Sequence, residues 1–233
     1  MAELINCGEA TGHDKMNTFE YIIKKYNINV GHQYVIEIPN MGSPELAELF
    51  TELKFNVGAE IGVWQGEFSE ILCKANPKLH LYSIDSWDIS VYEKGFLEQS
   101  HPKPGSTEQP YFENLYHEAI KRLSPYNCTI IRKTSMDAVK DFEDNSLDFV
   151  YLDAGHDFLN FTLDIHNWKK KVRAGGIVSG HDYSGFKSYK MIHVKEALMA
   201  YARSYHMIPF FVLPRTRKRP RRDLYGNWFW VKV

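Results

Sequence analysis

The feature that most restricts the fold is an alternation that begins near residue 56. Short apolar runs of strand length trade places with amphipathic stretches of helical period, five times over. NVGAEIG (56–62), KLHLYSID (78–85), NCTIIRK (127–133), LDFVYLD (147–153) and GGIVSG (175–180) read as strands. GEFSEILCKAN (66–76), YFENLYHEAIKRLS (111–124), SMDAVKDFE (135–143), DFLNFTLDIHNWKKKV (157–172) and YKMIHVKEALMAYARSY (189–205) read as helices. Strands separated by helices pair in parallel through right-handed crossovers, which cover both faces of the sheet. The chain end, IPFFVLP (208–214) and LYGNWFWVKV (224–233), predicts a hairpin that adds an antiparallel strand. The expected fold class is therefore α/β, a three-layer sandwich around a seven-stranded, mostly parallel sheet.

Ahead of the alternation, NTFEYIIKKYNI (17–28) and SPELAELFTELK (43–54) have helical spacing. In the second, Ser43 is the expected N-cap, Pro44 the first helical residue, and Leu46, Leu49, Phe50 and Leu53 the apolar stripe. The 233 residues suit one large domain with appendages. The expected division is a tail and accessory helix over 1–42 and the main domain over 43–233, with an insertion at about 86–110. A hydrophobic fraction of 44% supports a substantial core and makes disorder an unsuitable default. The net charge of −1 leaves no global basic field for nucleic acid. Cys7, Cys73 and Cys128 lack metal-knuckle spacing and suit a reducing compartment. With no leader-like apolar segment and no bilayer-length run, the expectation is a soluble cytoplasmic protein without a membrane partner.

Ligands of open parallel sheets bind beyond the carboxyl ends of the strands, so the chemistry is sought there. The first strand of the alternation ends in GAEIGVWQGEFS, where Glu60, Gly62 and Gly66 form an E-x-G-x-x-x-G turn. Glycines at such a turn let backbone approach a ligand closely, although any tight strand-to-helix turn also needs them. The second strand ends in Asp85, whose carboxylate suits the two hydroxyls of a ribose or, equally, a helix N-cap. Taken together, these four residues signal a nucleoside site. Asp153 and His156 follow the fourth strand, and His181 and Asp182 follow the fifth. Adjacent parallel strands would bring two acids and two imidazoles together. Asp157 reads as the N-cap of the next helix.

The series GAEIGVWQGEFS, LYSIDSW, DFVYLDAGHDF and AGGIVSGHDY resembles the class I S-adenosylmethionine-dependent methyltransferases. The likeness is to the branch with D-G-x-H and G-H-D-Y motifs, related to metal-dependent natural-product O-methyltransferases, and it covers roughly 43–233. It implies a Rossmann-like sheet whose last strand is antiparallel. It also implies S-adenosylmethionine as cofactor, with its methionine part near Glu60, Gly62 and Gly66. The ribose would lie on Asp85 with Ser86 and Trp87 close by, the adenine near Thr134, Ser135 and Met136, and Asp153 beside the methyl donor. Ala154 departs from the glycine that relatives often carry there.

Methyl transfer to oxygen needs an acceptor that is aligned and deprotonated. Two mechanisms are open. Asp153, His181 and Asp182 would hold a divalent metal ion, Mg²⁺ or a softer ion since one ligand is an imidazole. Alternatively His156 or His181 is the general base and no metal is needed, with Asp153 also a catalytic candidate. Tyr92, Phe96, His101, Tyr111 and Phe112, in and after the insertion, are candidates for an acceptor pocket. RTRKRPRR (215–222) packs six basic residues into eight and could bind RNA, although a solvated loop tip reads the same way. The expected activity is O-methylation of a small molecule such as a sugar or polyketide. RNA methylation and a nucleoside-binding module without transfer activity are the alternatives. A homo-oligomer is compatible with the sequence.

Overall fold

The protein is described by a computed structural model covering residues 17–91, 107–183, 192–214 and 225–233. Two helices and a short strand open it: α1 (Thr18–Lys25), β1 (Val35–Glu37) and α2 (Ser43–Glu52). The alternation follows as β2 (Val57–Ile61), α3 (Glu67–Ala75), β3 (His80–Asp85), α4 (Gln109–Leu123), β4 (Cys128–Arg132), α5 (Ser135–Ala138), β5 (Leu147–Leu152), α6 (Phe158–Lys171), β6 (Val172–Gly180) and α7 (Val194–Ser204). The hairpin strands β7 (Phe210–Leu213) and β8 (Asn227–Val231) end the chain.

All eight strands form one sheet in the order β1-β7-β8-β6-β5-β2-β3-β4. β8 lies antiparallel between β6 and β7, and the other pairings are parallel. The α/β class and the antiparallel hairpin strand hold, but the sheet has one strand more than the seven expected. The addition is β1, inside the stretch expected as tail and accessory helix, where Val35, Ile36 and Glu37 pair with Phe210, Phe211 and Val212. A three-residue strand offers no period for a sequence reading to detect.

Helices cover both faces, and the strand side chains alternate between two cores. Val150, Leu152 and Val178 face α6 and α7, meeting Phe161, Ile165, Trp168, Val194 and Leu198. Phe149, Tyr151 and Ile177 face the other way, toward Ile22 of α1, Leu46 and Phe50 of α2, and Phe68 and Leu72 of α3. A smaller cluster of Val63, Trp87, Phe112, Leu115 and Leu123 seats α4 beyond the ends of the strands. In α2, Ser43 is the first helical residue rather than the cap, and Pro44 the second. The cap is Gly42, whose amide donates to the Glu45 carboxylate at 2.9 Å. Strand order reverses between β2 and β5, so a crevice is expected over their carboxyl ends. No helix among the described residues is long and apolar enough to cross a membrane.

Candidate active site

The turn after β2 lies against the turn after β5. Gly62 has φ +90°, and a Cβ there would fall 2.2 Å from the Asp153 carbonyl oxygen. Only glycine allows both the left-handed backbone and that approach. The contact is pinned by two backbone bonds, Gly62 N–H to Ile84 O at 2.9 Å and Asp153 N–H to Ile61 O at 2.7 Å. Gly66, with φ +80°, turns the chain into α3. Glu60 is fully buried on the α3 side of β2, where the Ser69 hydroxyl donates to it. Ser69 in turn meets Ser83 at 2.7 Å, so a polar link under the glycine turn ties α3 to β2 and β3. The sequence reading missed Ser69.

Asp85 ends β3 and is committed to the same turn. One carboxylate oxygen accepts the Val63 and Trp64 amides at 2.9 Å each, and the other accepts the Trp87 amide at 3.0 Å. Burial raises its carboxyl pKa, and these amides pull in the opposite direction without cancelling the rise. Trp87, expected close to a ribose, is wholly buried, in a left-handed conformation, and its indole N–H donates to Trp64 O at 2.8 Å. It packs with Phe112, which is likewise part of the core rather than the lining of an acceptor pocket. Tyr111 is half-buried against Trp64, while Tyr92, Phe96, His101 and the basic run 215–222 lie outside the described residues. An open cleft of about 650 Å³ lies between the β3 and β4 ends, bordered by Ser86 on one side and Arg132 and Thr134 on the other.

Ser135 and Met136 start α5, capped by Thr134, whose hydroxyl accepts the Asp137 amide at 3.2 Å. The Ser135 hydroxyl donates to the Asp164 carboxylate and accepts the Trp168 indole N–H at 2.9 Å. Both partners lie on α6, and neither was singled out for function from the sequence. A signal was present: Asp164 occupies the same helix face as Phe161, Ile165 and Trp168, the stripe that enters the core.

Beyond β5 and β6 the expected cluster assembles. His156 Nε2 lies 2.8 Å from Asp182 Oδ2 and 3.6 Å from Asp153 Oδ1. His181 Nδ1 lies 3.3 Å from Asp182 Oδ1 and 3.5 Å from Asp153 Oδ1. Burial opposes the charged form of both rings, but the facing carboxylates outweigh it and raise each imidazole to about 10. The same pairing holds Asp182 well below the usual carboxylate range despite its burial. Asp182 sits at φ +60°, a left-handed conformation that costs a non-glycine residue about 1–3 kcal/mol and is typical of functional sites. The His156 carbonyl accepts the His193 amide at 2.8 Å, so the start of α7 braces this turn. Asp157 caps α6 as expected, accepting the Leu159 and Asn160 amides at 3.0 Å.

Ligand atoms of Asp153, His181 and Asp182 all lie within 4.8 Å of one another. Two carboxylates and an imidazole fit a divalent cation, and the imidazole favours borderline ions over Mg²⁺. The structure thus brings Asp153, His156, His181 and Asp182 together and sets them against Gly62. It places Glu60 and Asp85 beneath the adjoining turns, with their visible bonds made to the chain itself.

Comparison with known proteins places the fold. An uncharacterized protein, y4gI, from Sinorhizobium fredii is 31% identical over 74 residues, which are 31% of this chain but only 8% of that protein. The O-methyltransferase of Bacillus cereus, solved with S-adenosylhomocysteine, is similar in fold at 12% identity, covering 82% of this chain and 80% of that one, with a TM-score of 0.56. TomG from Streptomyces achromogenes, an O-methyltransferase of tomaymycin synthesis solved with S-adenosylmethionine, matches at 15% identity over 82% and 79%, with a TM-score of 0.54. At these identities the two structures speak for the fold. A methyltransferase-domain family model matches residues 59–183, which run from the glycine turn through the end of the β6 motif. With more than half of its length matched, the chain belongs to the methyltransferase-domain family.

Proposed function

We propose that the chain transfers the methyl group of S-adenosylmethionine to an oxygen of a small-molecule acceptor. One observation carries the reading: the Asp153–His156–His181–Asp182 cluster abuts the Gly62 turn at the sheet's switch point. Bound over that turn, S-adenosylmethionine supplies an electrophilic methyl group on a positively charged sulfur. Gly62 and Gly66 let backbone approach its methionine part, while Ser86 and Thr134 border the cleft open to its nucleoside. The O-methyltransferase neighbours, solved with this cofactor or its demethylated product, support oxygen as the target.

Asp153, His181 and Asp182 are the residues that would hold a divalent cation, which lends Lewis acidity to an acceptor hydroxyl. Asp153 projects from the turn that touches Gly62, so an acceptor held on this cluster lies next to the methyl donor. His156, bonded to Asp182, orients that carboxylate. A second reading rests on the same contact. His156, charged between two carboxylates, supplies the positive field itself, and the acceptor is aligned without metal. Without a cation both imidazoles are held protonated, so His181 must release a proton before it can ligate a cation, and a histidine base likewise requires a proton to leave the cluster first.

Treatment with a chelator separates the two readings. The cation reading predicts that methyl transfer to a panel of phenolic, sugar and polyketide hydroxyls falls about 100-fold or more and returns with Mn²⁺ or Mg²⁺. Unchanged turnover after chelation overturns it and leaves the second reading. RNA methylation remains the alternative for the basic run 215–222. Retention on RNA that disappears with salt would favour it.

A further inference from the structure

Asp164 is a buried acid that the mechanism above does not use. It lies in the second turn of α6, is 4% exposed, and stands in a helix interior, where aspartate is a poor helix former. Burying a carboxylate is unfavourable unless it is hydrogen-bonded, and a residue that breaks local and burial rules together marks a position under functional constraint. Its carboxylate faces two separate turns. The Ser135 hydroxyl, after β4, donates to Asp164 Oδ1, and the Gly155 backbone N–H, between Asp153 and His156 after β5, faces the same carboxylate and draws its pKa down against the effect of burial. Trp168, one helical turn further along α6, donates its indole N–H to the Ser135 hydroxyl at 2.9 Å.

β4 and β5 are not neighbours, because β2 and β3 stand between them. The two turns are therefore opposite rims of the crevice at the carboxyl end of the sheet, and α6 bridges them through one carboxylate. The Gly155 rim is closely packed: a Cβ at Gly155 would fall 2.6 Å from the Asn160 side chain, also on α6. The Ser135 hydroxyl proton is committed to Asp164 and one of its lone pairs to Trp168, so its orientation is fixed.

We propose that Asp164 is a positioning residue that ties the Ser135 rim to the His156 rim, so that occupancy of one is felt at the other. The inference rests on the reading of this crevice as the S-adenosylmethionine site. It requires that removing either end of the Asp164–Ser135 bond weaken cofactor binding and disconnect the His156 turn, and that the two removals not add.

The test is calorimetric titration with S-adenosylhomocysteine, alongside the NMR signal of the His156 ring, on four proteins: the parent, Asp164→Asn, Ser135→Ala and the double variant. Each single variant is expected to bind about tenfold more weakly, and the double variant no more weakly than either single, as for two ends of one interaction. In the parent, ligand binding shifts the His156 ring signal, and in Asp164→Asn at saturation that shift is lost. A fold support with no positioning role would lower the melting temperature and leave both readouts in place. Affinities within about twofold of the parent, or losses that multiply in the double variant, overturn the proposal. If Asp164→Asn does not melt cooperatively, Ser135→Ala decides by the same criterion. Absence of binding by the parent would overturn the functional reading itself, an outcome distinct from a failure confined to the variants.

Discussion

Gly62 tolerates the least change of any residue at the site. With φ +90° and the Asp153 carbonyl 2.2 Å from any added Cβ, Gly62→Ala must strain its own backbone and push the β5 turn away. The expected result is a loss of more than about 1 kcal/mol in denaturant unfolding and loss of S-adenosylmethionine binding in calorimetry. Asp164 makes the opposite prediction. Burial raises its carboxyl to about 6, from 3.8. Folding therefore favours the protonated acid, so the stability penalty is absent below the unfolded value, grows as pH rises through about 6 and is complete above it. By linkage its size is at most about 3 kcal/mol. Asp164→Asn is uncharged at every pH, so it should melt no lower than the parent at about pH 7.5 while binding cofactor more weakly. A large fall in melting temperature there would contradict this.

At the scale of elements, β1 makes the clearest prediction. Ile36 is 3% exposed, and its strand pairs along β7. Ile36→Ala should cost about 2–5 kcal/mol by chemical denaturation, as for other buried large-to-small changes. A cost near zero would mean that β1 does not hold to the sheet. The helices and central strands were legible because burial imposes a pattern: Leu46, Leu49 and Phe50 on α2, and the apolar run 149–152 in β5. β1 was not legible, being too short for any period. Within the site, Asp153, His156, His181 and Asp182 could be found because the rule about strand ends names a location, and their motifs fall on it. The burial of Trp87 could not be foreseen, since the residue has a left-handed backbone and no local pattern announces that turn. Asp164 could have been found from its place on the apolar stripe of α6, where a solvated aspartate has no reason to be.

The whole molecule joins a sheet that reverses order between β2 and β5, glycine turns that open that switch point, and a buried cluster of acids and imidazoles beside it. Membership of the methyltransferase-domain family makes methyl transfer the activity to test, and the glycine turn makes cofactor binding its first requirement. The most direct measurement is the melting temperature of the full chain with and without S-adenosylmethionine. A ligand at a hundred times its dissociation constant stabilises the native state by about 2.7 kcal/mol, which for a chain of this size raises the melting temperature by about 5–10 °C. That rise is expected, together with its loss in Gly62→Ala. A melting temperature unmoved by saturating S-adenosylmethionine and by S-adenosylhomocysteine would contradict it.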